Sequence, residues 1–132
     1  MSAAIEGGCF CGYLSYRALG PASDETHCHC TICRRTSAAP SVAWFSVPSA
    51  DFRFTRGEPQ RFRSSERGER TFCPRCGTPL TFQLDHQQDE IDVTTCSLSD
   101  PEQLPPKDHT HTDERLSWLA IGDELPRFSG RR

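Results

Sequence analysis

Lysine is almost missing from this chain: Lys107 is the only one in 132 residues, so nearly all positive charge is arginine, whose planar fork suits carboxylate and phosphate groups. Apolar residues are also scarce, at 35% with a mean hydropathy of -0.61, which leaves a modest core for a chain of this length. No run approaches the roughly 18 consecutive apolar residues of a membrane-spanning helix. The opening MSAAIEGGCFCG lacks the basic region and apolar run of a secretory signal. The formal net charge of -3 argues against a nucleic-acid surface. The arginine series Arg61, Arg63, Arg67 and Arg70 is interrupted by Glu66 and Glu69, and strand alternation sends neighbouring charges to opposite faces. These absences predict a soluble, cytoplasmic protein that partners neither nucleic acid nor membrane. No repeat, low-complexity tract or linker divides it, so a single domain is expected over residues 1–132.

Long helical patterns are lacking too, and short strand patterns take their place. Tyr13 to Leu19 alternates, Val42 to Val47 is a compact apolar run, and Phe52 to Thr55 and Arg61 to Ser64 flank a turn marked by Gly57 and Pro59. Arg70 to Cys73, Leu80 to Leu84 and Ile91 to Thr95 are further candidates. Cys33 to Ser37 is long enough for one helical turn, and adjacent Pro105 and Pro106 predict irregular backbone from Pro101 to Lys107. The expected fold class is all-β, with short antiparallel strands pinned by metal where the core is thin.

What the chain has in quantity is cysteine, eight in all. Seven lie in three tight clusters: Cys9 and Cys11; Cys28, Cys30 and Cys33; Cys73 and Cys76. In a reducing compartment such spacings indicate metal ligands before disulfides, and zinc, tetrahedral and thiolate-binding, is the metal they suit. Seven thiolates divide into one closed site of four and one open site of three. Cys73-Pro-Arg-Cys76-Gly77 has the spacing of a zinc knuckle, with Gly77 free to adopt the left-handed conformation its turn needs. Cys9 and Cys11, on one strand face, supply the other half. Cys28, Cys30 and Cys33 then offer three sulfurs to a second ion.

A fourth ligand for that second ion is not evident. His29 and His27 alternate away from the sulfurs if the segment is extended, which suits them to supporting the ligands from behind. His109 and His111 fall in a loop-like segment where a solvated role is expected. Cys96, outside the clusters, is expected to be a small buried apolar residue at a strand end. If none closes the site, zinc keeps an exchangeable position; otherwise the ion is a second structural one.

GGCFCG at the start, CHCTICRR at Cys28–Arg35, FCPRCG, and the tail SLSDPEQLPP with a tryptophan before LPRF resemble the glutathione-dependent formaldehyde-activating enzyme family, also named for centromere protein V. The resemblance spans nearly the whole chain. It implies a beta-tent fold, shared with a chaperone-like Rab exchange factor, and two zinc ions per chain. The structural ion would fall to Cys9, Cys11, Cys73 and Cys76, and the catalytic one to Cys28, Cys30 and Cys33. It further implies carbon-sulfur lyase chemistry, in which a small thiol such as glutathione adds reversibly to formaldehyde or a related aldehyde. Arg34 and Arg35, directly after the cluster, are candidates to hold a carboxylate of that thiol. The alternative is a non-catalytic binding module, related to the Rab-binding fold, that needs only the structural ion.

Overall fold

A computed structural model describes residues 4–132. It contains ten strands, one short helix and several single 3-10 turns. In chain order the strands are β1 (Ile5–Gly8), β2 (Ser15–Ala18), β3 (Ser23–Cys28), β4 (Val42–Pro48), β5 (Phe52–Arg56), β6 (Gln60–Ser65), β7 (Gly68–Phe72), β8 (Pro79–Leu84), β9 (Glu90–Thr94) and β10 (Asp108–Thr110); helix α1 spans Thr31–Ser37. The all-β expectation holds. No described helix is long and apolar enough to cross a membrane.

Two sheets share the strands, one ordered β1-β2-β5 and the other β10-β3-β4-β9-β8-β7-β6. Neighbours pair antiparallel except β10, which runs parallel to β3. Strand β2 alternates as its sequence requires, with Tyr16 and Ala18 buried and Arg17 exposed. The apolar run of β4, interrupted only by Ser46, is the pattern of a strand covered on both faces. Phe45 and Val47 enter one core with Ile5, Leu14, Tyr16, Ala18, Leu80, Val93 and Leu98, while Trp44 and Val42 join a second cluster around Cys28 and Cys33. The first cluster therefore draws on both sheets, and the second lies on the other face of the larger one.

Three strands were not legible as such. β1 is four residues ending in two glycines, β3 reads SDETHC and β10 reads DHT. The two polar strands form because β3 fits between β4 and β10, and Lys107 pairs with the buried Glu25 at 3.1 Å. Two residue expectations are corrected here. His109 is not a solvated loop residue: it sits on β10 at 4% exposure, because parallel pairing with β3 turns its ring onto His27. Cys96 is exposed and not a buried apolar residue, since Thr94 ends β9 and the 3-10 turn Thr95–Ser97 points it outward while burying both neighbours.

Phe45 is fully buried at the centre of the shared core. Phe45→Ala should lower stability by about 3 to 5 kcal/mol in chemical denaturation of the metal-loaded protein, the range for a large aromatic removed from a packed interior. A loss below about 1 kcal/mol would mean that the two sheets do not share one core.

Candidate metal centre

Cys9 lies just past β1, Cys11 in the turn after it, and Cys73 and Cys76 in the turn after β7. Their ligand atoms converge: Cys9 Sγ is 3.6 Å from Cys11 Sγ, which is 3.7 Å from Cys73 Sγ. Zinc–sulfur bonds of about 2.3 Å in a tetrahedron set sulfurs roughly 3.8 Å apart, so the spacing fits such an ion. The backbone serves the sulfurs as it would thiolates. Leu14 N–H donates to Cys9 Sγ at 3.2 Å, and Arg75 and Cys76 N–H donate to Cys73 Sγ at 3.3 and 3.4 Å. Gly77 takes φ +83°, closing the turn with its N–H on the Cys73 carbonyl. Arg75 stacks on the Tyr13 ring at 4.0 Å, tying the second pair to the chain beyond the first.

Cys28 ends β3, Cys30 caps α1 and Cys33 lies in its first turn, so the strand-to-helix junction brings three sulfurs together. Cys33 N–H donates to Cys30 Sγ at 3.3 Å. The three sulfurs lie within 4.8 Å of one another, and among the described residues no fourth Cys, His, Asp or Glu joins them. Hydrogen bonds from Cys28 and Cys30, with Arg70 beyond them, hold the Cys33 thiol down at about 3, and the same sharing pushes Cys28 up. Both clusters could bind metal.

The three sulfurs border a cavity of about 660 Å³ on the face of the larger sheet. Its floor follows from register. Ser46, Asp92, Phe82 and Arg70 stand opposite one another across β4, β9, β8 and β7, with Trp44 one pleat nearer the sulfurs. Arg70 is 8% exposed, and its guanidinium lies 5.5 Å from the Trp44 ring centre and 4.8 Å from that of Phe82. Its Nε donates to Ser64 Oγ at 2.9 Å and its Nη2 to Cys33 Sγ at 3.6 Å. A Cβ on Gly68 would stand 2.4 Å from the Phe82 ring, so that glycine gives the ring its place.

Sequence reasoning set Arg70 aside with its charged neighbours; the visible signal was that it lies two residues from Gly68 on an alternating strand and three before Cys73. Arg34 and Arg35 do not line the cavity, and Arg34 instead donates to Thr31 Oγ1 and the Glu114 carbonyl at 3.1 and 3.4 Å. His29, as expected, turns away from the sulfurs. Its Nε2 meets His109 Nδ1 at 2.9 Å, and His109 Nε2 meets both oxygens of the exposed Asp123 at 3.1 Å, so a hydrogen-bonded chain braces the Cys28–Cys30 segment from behind. His111 borders the cavity, and His27 stacks on His109 at 4.8 Å.

Asp92 accepts from Ser46 Oγ at 2.6 Å, but burial pushes its carboxyl up to about 6. The folded chain thus holds a proton that the unfolded chain releases near pH 4, so this group makes stability fall as pH rises from about 4 to 6. Asp92→Asn should therefore be more stable than wild type by up to about 3 kcal/mol at pH 7. The difference should shrink toward pH 4; equal stabilities at pH 7 in urea titrations would refute the assignment.

Residues 4–114 match the family model described as glutathione-dependent formaldehyde-activating enzyme. A protein of Halomonas elongata that carries the family's name is 28% identical over 127 residues, covering 89% of this chain and 80% of its own length. An uncharacterised lyase of Schizosaccharomyces pombe is 33% identical over 79 residues, 58% of this chain and 56% of its own. The fold is shared with a crystal structure of a Rhodobacter sphaeroides protein, with a TM-score of 0.66 and 22% identity over 80% of this chain and 99% of that one. With cysteines grouped in both clusters and a family match across most of its length, the chain belongs to the glutathione-dependent formaldehyde-activating enzyme family.

Proposed function

We propose that this protein is a zinc-dependent enzyme that activates a small thiol, glutathione first among the candidates, for reversible addition to formaldehyde or a related aldehyde. One observation carries the reading: Cys28, Cys30 and Cys33 converge beside a cavity without a fourth protein ligand among the described residues, whereas Cys9, Cys11, Cys73 and Cys76 close on one another. Zinc held by Cys28, Cys30 and Cys33 would supply a soft fourth position at which a thiol of ordinary pKa near 8.5 ionises at neutral pH. The sulfurs fit that role because three thiolates make a poor Lewis acid for water but a good partner for another sulfur.

The chain's own residues do the rest. The apolar edges of Trp44 and Phe82 line the cavity and limit water at the sulfurs. The His29–His109–Asp123 chain holds the Cys28–Cys30 segment in place. In the reaction the thiol loses its proton, its sulfur bonds to the carbonyl carbon, the π pair moves to oxygen, and that oxygen takes up a proton. The product is an S-hydroxymethyl thiol. The reverse reaction breaks the carbon–sulfur bond, in keeping with the lyase name of the S. pombe relative.

Elemental analysis of protein purified without chelator should return about two zinc ions per chain. Cys30→Ser should stay folded with about one, Cys96→Ala should keep both, and Cys73→Ser should unfold or precipitate. Because thiols add to formaldehyde unaided, the enzymatic step is read as excess exchange between free and hydroxymethylated glutathione by two-dimensional exchange NMR at equilibrium. Wild type should exceed the Cys30→Ser control. Equal rates across a panel of thiols would leave a zinc-stabilised binding domain in place of an enzyme.

A further inference from the structure

Arg70 presents an energetic problem that the metal clusters alone do not explain. It is a buried cation, 8% exposed, and no carboxylate forms an ion pair with it among the described residues. A buried charge without a counter-charge costs several kcal/mol. Its neighbours are two aromatic rings, the Ser64 hydroxyl and the Cys33 sulfur. Ring faces and a hydroxyl fix the guanidinium in position but cannot neutralise it; the one group within its hydrogen-bond reach that can carry negative charge is the Cys33 sulfur.

The other arginines bordering the cavity are placed differently. Arg132 is committed to Asp108 and Asp24, Arg131 is exposed, and Arg67 is exposed at the turn before β7. Arg70 alone reaches a sulfur. A dication held by three thiolates carries one net negative charge, and a fourth thiolate would make two. Asp24, Glu90, Asp92 and Glu114 border the same cavity and add to the repulsion that an incoming thiolate meets.

We propose that Arg70 is the residue that lets this site accept a substrate in thiolate form, by supplying the counter-charge at the sulfur end of the cavity. It acts on the substrate's sulfur, not on a carboxylate elsewhere in the substrate. Contact with the Trp44 and Phe82 rings and the Ser64 hydrogen bond keep the guanidinium from swinging toward Asp92, which stands across Phe82 in the same row. This inference rests on the thiol-binding reading above and adds to it how the charge is balanced.

The test uses the full chain loaded with cobalt in place of zinc, so that thiol binding is read as sulfur-to-cobalt charge-transfer absorption, independently of turnover. Two probes are titrated, glutathione and 2-mercaptoethanol, the second having no carboxylate. Arg70→Met keeps a long side chain against the rings without the charge, Arg70→Lys restores charge without the fork, and Arg70→Gln replaces the Met variant if that fails to fold. Loss of a charge-assisted hydrogen bond should weaken binding of both thiols by about 10- to 100-fold in the Met variant, with cobalt content unchanged and partial recovery in the Lys variant. A loss confined to glutathione would instead make Arg70 a carboxylate clamp and overturn the proposal. So would unchanged binding of both thiols, or cobalt loss before any thiol is added. If wild type shows no thiol-dependent band, the thiol-binding reading itself fails, and the role of Arg70 with it.

Discussion

The convergence of four sulfurs at one corner is the contact on which this fold depends. Cys9 and Cys11 follow β1 of the smaller sheet, and Cys73 and Cys76 follow β7 of the larger, so an ion held by all four joins segments more than sixty residues apart. The core between the sheets is small, and Cys73 is itself one of its buried members. A metal crosslink at these four sulfurs would compensate for the modest apolar surface with which the chain closes two sheets. The backbone N–H groups aimed at Cys9 and Cys73 and the left-handed Gly77 serve that corner.

With that corner in place, the larger sheet presents one face to the shared core and the other to the cavity. The alternation of β4 splits Phe45 and Val47 from Trp44 and Ser46, and the same split on β7, β8 and β9 sends Arg70, Phe82 and Asp92 to the cavity side. The three sulfurs stand at one end of this floor because β3 stops at Cys28 and the chain turns into α1 within two residues. The cavity thereby has an apolar wall, an anionic edge and one fixed cation beside the sulfurs.

The histidines show how support is built at a distance from the chemistry. His29 cannot turn toward the metal position when Cys28 and Cys30 do, so its ring goes to the opposite face, where His109 and Asp123 receive it. Burial and the neighbouring His109 hold His29 down to about 4, so it is neutral at physiological pH and is held by a hydrogen bond instead of a charge. The closing stretch of the chain is drawn into the fold through Asp123, and Arg127 bridges to β10 beside it.

Much of this was legible in the sequence. Cysteine spacing alone divided seven sulfurs into a group of four and a group of three, because ligands one or two residues apart can share an ion without help from the rest of the chain. Alternation and apolar runs located seven of the ten strands for the same reason: the information is local. What the sequence could not disclose depends on partners far along the chain. β3 and β10 are polar and become strands only by pairing with each other and with β4, which is why His109 was expected in solvent and is buried. Cys96 was expected inside and is exposed because a 3-10 turn, not a continued strand, follows β9. Arg70 shows little of its placement in its own neighbourhood beyond the alternation it shares with Gly68, since charges of both signs surround it. Only cross-strand register sets it against Trp44 and Phe82 with Cys33 in reach, and register is decided when the sheet assembles.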